Sequence, residues 1–264
     1  MERGEQYIRG IRLEGFENDD SYLSDIPALR QLGEMNELEL SEKVTFFVGE
    51  NGTGKSTLLE AAAVAFGFNP EGGTLNFRFS TFDSHSRLFE YMRLVKSWQR
   101  PRDGFFLRAE SYYNVASYIE ELDNQISTAE GYGGSSPLIK ASYGGKSLHE
   151  QSHGESFFAA MMNRFGGHGI YILDEPEAAL SPSRQLALLV RINELVALDS
   201  QFIISTHSPI ILGYPGAMIY ELSDSGIERV RYEDTETVKV SRAFINDPRK
   251  MINILFDNDG GKNG

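Results

Sequence analysis

Residues 44–66, VTFFVGENGTGKSTLLEAAAVAF, join an apolar run, a glycine-rich loop and an Ala/Leu-rich segment without a break. No other stretch constrains the fold as tightly. VTFFV (44–48) has strand length and no polar face, so it reads as a strand. The loop Gly49-Glu50-Asn51-Gly52-Thr53-Gly54-Lys55-Ser56-Thr57 satisfies G-x-x-x-x-G-K-[ST] between a strand and a helix, the context that gives the pattern its meaning. The helix over 57–68 is closed by Gly67 and the Asn69-Pro70 break. Glycines let consecutive backbone N–H groups converge on phosphate oxygens where a Cβ would obstruct them. The helix start adds partial positive charge. Lys55 is placed to reach β- and γ-phosphates, and the Ser56 hydroxyl to ligate Mg²⁺. Gly49, Asn51, Gly52, Thr53, Gly54, Lys55, Ser56 and Thr57 are therefore the candidate nucleotide-binding residues.

The remaining pattern extends this unit into an α/β fold. YIRGIRLEGF (7–16) alternates and reads as a half-buried strand, with NELEL (36–40) as another. Residues 70–110 read as a mostly β insertion ending in GFFLRAE (104–110), and SYYNVASYIEEL (111–122) as a helix. The Gly/Ser-rich stretch 131–151 reads as a mobile loop. Then come a helix at 155–165, the buried strand GIYIL (169–173), an amphipathic helix at 182–198 opened by Pro182, and the buried strand QFIIS (201–205). AMIYEL (217–222) and IERVRY (227–232) form a hairpin, and a short helical tail follows. Buried strands alternating with helices imply a sheet covered on both faces.

Composition narrows the class. The chain has no cysteine, which excludes disulfides and thiolate metal sites within it, and a reducing cytoplasm is the default reading. No stretch approaches the roughly 18 apolar residues of a membrane helix, so no direct membrane insertion is expected. MERGEQYIRG has no apolar core of a secretory signal. A net charge of −13 argues against indiscriminate coating of nucleic acid. It leaves room for a local patch: Arg78, Arg87, Arg93, Lys96, Arg100, Arg102 and Arg108 crowd one segment around Trp98, the only tryptophan. That segment reads either as a solvated face or as a nucleic-acid or partner surface.

Two acids end the strand GIYIL. Asp174 at its tip is suited to hold Mg²⁺ opposite Ser56. Glu175 points to the other side, where water would attack a γ-phosphate, and is the candidate base. Glu177, in the turn, reads as solvated. Upstream, QSHGES (151–156) puts the Ser152 hydroxyl and the Gly154 N–H at a helix start, an anion-friendly arrangement that also spells a capping box with Glu155.

The order GENGTGKST, SHGES, YILDEPEAALSP, ISTHSP resembles the ATP-binding-cassette superfamily, and within it the branch of SMC, RecF and stand-alone AAA-type ATPases. Ser152 precedes Asp174 by 22 positions, and Asp174 precedes His207 by 33. The resemblance implies a P-loop NTPase fold, with a mainly parallel central sheet flanked by helices and an antiparallel β subdomain near the N-terminus. It implies one ATPase domain over 1–264, in which about 70–150 is the insertion on the signature side. It implies ATP and Mg²⁺, and an ATP-dependent homodimer in which Ser152 and Gly154 bind the γ-phosphate held by the other protomer. His207 would sense that phosphate beside Glu175, while Ala179 and Leu180 would pack at the dimer interface.

Departures from the family pattern are Gln151 for Leu and His153 for Gly, the latter either a contact or simply exposed. Glu110 stands where the family carries a glutamine, as a further Mg²⁺ candidate. Arg108 either positions phosphates or pairs with an acid, and Arg12 is a candidate near the nucleotide. Three outputs follow for such an engine: nucleic-acid maintenance or defence, a nucleotide-gated regulator in a toxin or defence complex, and, ranked lower, a transport subunit. The first two require an unidentified protein or nucleic-acid partner.

Overall fold

In the computed structural model, residues 6–16, 21–75, 86–108, 158, 161–178 and 180–259 are described. Two sheets organise them. A three-stranded antiparallel sheet, in the order β2-β1-β5, comprises β1 (Ile8–Leu13), β2 (Leu38–Glu39) and β5 (Met92–Lys96). A seven-stranded sheet runs β10-β9-β3-β8-β7-β6-β4. Its five inner strands are mutually parallel: β9 (Met218–Ser223), β3 (Val44–Gly49), β8 (Gln201–Ser205), β7 (Gly169–Asp174) and β6 (Asp103–Leu107). The edge strands β10 (Gly226–Val230) and β4 (Gly73–Thr74) are antiparallel to their neighbours.

Strand periodicity sorts the core into two layers. Ile170 and Ile172 of β7, with Phe47, Phe106 and Ile203, face α1 (Pro27–Glu34), α2 (Lys55–Phe66) and the small sheet. Tyr171 and Leu173, with Phe46, Phe105, Phe202 and Ile204, face Leu188, Ile192 and Leu195 of α4 (Pro182–Ala197). The strand expected over 104–110 ends at Leu107 and lies inside the main sheet, parallel to β7. Both its faces are buried, so the 70–110 stretch contributes to the central layer as well as to the small sheet, where β5 pairs with β1.

A short helix, α3 (Leu88–Tyr91), precedes β5. Residue 158 and residues 161–164 are helical, as expected; the helix at 111–122 and the loop at 131–151 lie outside the described residues. Two C-terminal helices follow the sheet, α5 (Glu236–Asn246) and α6 (Pro248–Asp259). Among the described residues no helix is long and apolar enough to cross a membrane.

Candidate functional site

β3, β7 and β8 lie side by side with parallel direction, so their carboxyl ends converge. The phosphate loop leaves β3 there and enters α2 through Gly54, which is left-handed at φ 96°. A Cβ on Gly54 would sit 3.0 Å from Ile26 Cγ2, just ahead of α1, and one on Gly49 would meet the Leu222 carbonyl oxygen at 2.1 Å. Both positions therefore demand glycine. No side chain caps α2, so the first-turn N–H groups have no side-chain acceptor at the helix N-cap, whereas at α4 the Ser181 hydroxyl accepts the Arg184 N–H. An uncapped start pointing from a glycine loop is an anion site.

Lys55 is 4% exposed, and its Nζ donates to the Gly49 carbonyl at 2.8 Å and the Glu50 carbonyl at 2.7 Å. Burial lowers its pKa, opposed by the charges of Glu175, Asp174 and Glu177. Thr53 Oγ1 donates to the Glu50 carbonyl at 2.8 Å and braces the loop, whose tip, Asn51 and Gly52, is exposed. Thr57 is half-buried in the first turn of α2.

Ser56 Oγ donates to Asp174 Oδ1 at 3.0 Å, which brings the two expected metal ligands together. Ser205 Oγ donates to the same carboxylate oxygen. Burial raises the Asp174 pKa, and the hydrogen bonds from Ser205 and Ser56 oppose it. Hydroxyl and carboxylate oxygens are the hard donors Mg²⁺ takes, usually with phosphate and water completing the shell. Among the described residues no group of three or more His, Cys, Asp or Glu is placed to hold a metal ion by itself.

Glu175 adopts φ 47°, a left-handed conformation that costs a non-glycine residue about 1–3 kcal/mol. It is held there by hydrogen bonds from its N–H to the Ser205 carbonyl (3.1 Å) and Ser205 Oγ (3.2 Å). Its Oε1 stands 3.4 Å from His207 Nε2. Glu50, Asn51, Glu175 and His207 line one cleft of about 520 Å³. The candidate base, the candidate histidine and the phosphate loop thus share one open site.

Several expectations need correction. Glu177 is not solvated: its Oε1 accepts the His207 N–H at 2.5 Å, and burial raises its pKa. Leu180 is buried inside this chain's own core under α4, not held out as an interface residue. Arg108 pairs with Glu60 of α2 at 2.7 Å, both largely buried, which settles its alternatives in favour of the acid. Arg12 pairs with Glu37 at 2.7 Å on the small sheet. Ser205 joins the site unanticipated; the one signal was a hydroxyl residue ending an otherwise apolar strand. Ser152, Gly154, His153, Glu110 and Ala179 lie outside the described residues.

Residues 26–129 match the family described as "AAA domain", and residues 147–213 the family described as "AAA domain, putative AbiEii toxin, Type IV TA system". None of the curated proteins compared with the chain matches it. Solved structures similar to it include the SMC head domain from Thermotoga maritima, 16% identical, covering 86% of this chain and 100% of that one at a TM-score of 0.41. Another is cbiO1 from Clostridium perfringens, part of the ABC transporter complex cbiONQ, 17% identical over 96% and 100% of the two chains at 0.47.

Proposed function

We propose that this chain is an ATP-hydrolysing P-loop ATPase, similar to the SMC/RecF-like branch of the ABC superfamily, that works as a Mg²⁺-dependent switch, closing as a head-to-tail ATP-bound dimer and reopening after hydrolysis. The observation that carries the reading is the convergence of Glu175, His207 and the phosphate loop on one cleft.

In this reading the α2 N-terminus and Lys55 bind the ATP phosphates. Ser56 and Asp174 hold Mg²⁺, which neutralises charge on the β- and γ-phosphates when bound. Glu110 is the further candidate ligand. Glu175 orients the attacking water and accepts its proton, and His207 braces Glu175 and faces the γ-phosphate. Ser152 and Gly154 complete the partner protomer's site. The cleft is open on its solvent side, which fits a site finished by a second copy.

The decisive variant is Glu175→Gln, which should bind MgATP, fail to hydrolyse it and accumulate as a dimer in sedimentation. A variant that stays monomeric with saturating MgATP would sink the sandwich reading.

The output we favour is nucleic-acid maintenance or defence. Arg87, Arg93 and Arg108 are engaged by Glu90, Glu14 and Glu60. Arg9, Arg100 and Arg102 are exposed without a carboxylate partner among the described residues, and Trp98, two positions before Arg100, is 81% exposed. Arg78 lies outside the described residues. Exposed guanidinium groups and an exposed indole suit a polyanion with stackable bases. A second reading, a nucleotide-gated regulator in a toxin complex, is favoured by the toxin–antitoxin description of the family matched over 147–213.

A further inference from the structure

Glu177 does not line the cleft, yet its carboxylate is buried within the same end of the sheet. Burying a carboxylate costs several kcal/mol unless partners compensate. The partner here is a backbone N–H of the histidine loop: Oε1 accepts the His207 N–H at 2.5 Å. The other oxygen, Oε2, is buried with no partner among the described residues.

A second side chain makes a parallel connection. Gln185 on α4 donates from Nε2 to the Leu180 carbonyl at 3.0 Å and accepts the Ser208 hydroxyl at its Oε1 at 2.6 Å. Ser208 Oγ in turn accepts the N–H groups of Ile210 (3.1 Å) and Ile211 (3.2 Å). Inside the histidine loop, Thr206 Oγ1 accepts the Ser208 N–H at 3.0 Å, and the Thr206 N–H donates to the Phe47 carbonyl at 3.2 Å. Residues 206, 207 and 208 are thus fastened from three directions, and the two side-chain fastenings both come from 177–185.

We infer that Glu177 and Gln185 are positioning residues for His207. Neither is among the residues that line the cleft; they fix the backbone that holds the imidazole Nε2 3.4 Å from Glu175. The proposal rests on His207 serving the hydrolytic step, and it adds what holds the histidine there. It also ties the segment after Asp174 to the histidine loop through side chains, so movement in one is transmitted to the other. A misplacement of about 1 Å at such a group can cost about a hundredfold in rate.

The test is steady-state ATPase kinetics with MgATP, alongside the melting temperature, for the wild type, Glu177→Ala, Glu177→Gln, Gln185→Ala and His207→Ala. Glu177→Ala should lower kcat by roughly ten- to a hundredfold with KM within about twofold, since binding is separate from the step His207 serves. Glu177→Gln keeps an acceptor oxygen for the His207 N–H and should recover most of the rate. In a His207→Ala background, Glu177→Ala should cost little more, because both act on one step. A folded Glu177→Ala enzyme with wild-type kcat overturns the proposal, as does an equal loss in the two backgrounds. If Glu177→Ala does not fold, Gln185→Ala decides alone: a selective loss of kcat supports the clamp and an unchanged kcat overturns it. A fully active His207→Ala enzyme would instead remove the underlying reading of the histidine.

Discussion

At the carboxyl ends of the parallel strands, Lys55 and Asp174 are buried and Glu177 is half-buried, and each charged head is bonded to partners on a neighbouring loop or strand tip. At the amino ends of the same strands most of the charge is exposed, with Asp103, paired with Arg164 at 2.9 Å, as the exception. The Arg102 N–H bonds to the His168 carbonyl just ahead of β7, and the Ser97 N–H to the Tyr7 carbonyl, while Tyr7 OH reaches the Asp199 carbonyl ahead of β8. Around this pole Arg9, Lys96, Trp98, Arg100, Arg102 and His168 are exposed. One end holds most of its charged heads away from water; the other holds Asp103 against Arg164 and Tyr171 in the same way but leaves its cluster of cations wet and exchangeable. Desolvated charge is expensive, so it is retained where a reaction needs it. Solvated charge costs little, acts at a distance and is screened by salt.

The strongest way to break this contrast is at Asp174. Its carboxyl pKa lies above the ordinary range because of burial, so the folded chain binds that proton more tightly than the unfolded chain does. The ionised form therefore costs stability once pH rises through the raised pKa, and the cost disappears as pH falls through it. Asp174→Asn keeps an acceptor for Ser56 and Ser205 while removing the charge. Hydrolysis should fall at least about a hundredfold while the melting temperature rises by roughly 2–4 °C, read by calorimetry. A melting temperature that drops would mean that Asp174 is held for stability, and the two poles would differ less than the burial suggests.

At the opposite pole, the double change Arg100→Glu, Arg102→Glu sharpens the comparison with a smaller effect. If this face meets a polyanion, single-stranded oligonucleotide should stimulate the wild-type ATPase several-fold at low salt and less at physiological salt, because contacts to phosphate release counterions. The double variant should lose that stimulation and flatten the salt dependence. A flat wild-type response to DNA and RNA of either strandedness would count against the nucleic-acid output and direct attention to a protein partner.

The dry end was also the more legible one, up to the point where legibility depends on distant chain. The phosphate loop declares itself because nine adjacent residues carry both the backbone requirement and the chemistry. β7 and β8 declare themselves because every residue in them is buried. Glu177 could not be read this way. Its burial comes from a loop 30 positions away folding over it, and a lone acid in a turn carries no local mark of that. Arg108 was ambiguous for the same reason, since its partner Glu60 sits on α2. The helix α1 was within reach: Pro27 opens it, and Ala28, Leu29 and Leu32 give it a buried stripe. The five-strand order was not, because strand neighbours are chosen by packing between segments far apart in sequence.

The smallest expected effect belongs to Trp98, and it is informative because the chain has no other tryptophan. A side chain 81% exposed contributes little burial, so Trp98→Ala should change unfolding stability by no more than about 0.5 kcal/mol in urea titration. Emission from the native protein should already be that of a solvated indole, and unfolding should move its maximum only slightly. Binding of a single-stranded oligonucleotide should quench it, since a base stacked on the ring replaces water, and the quenching should weaken with salt in parallel with the ATPase stimulation. Quenching without salt dependence would separate stacking from charge at this pole. A strongly blue-shifted native emission that disappears on dilution would show the same indole covered by a second copy of the chain, and the wet pole would then be a protein interface.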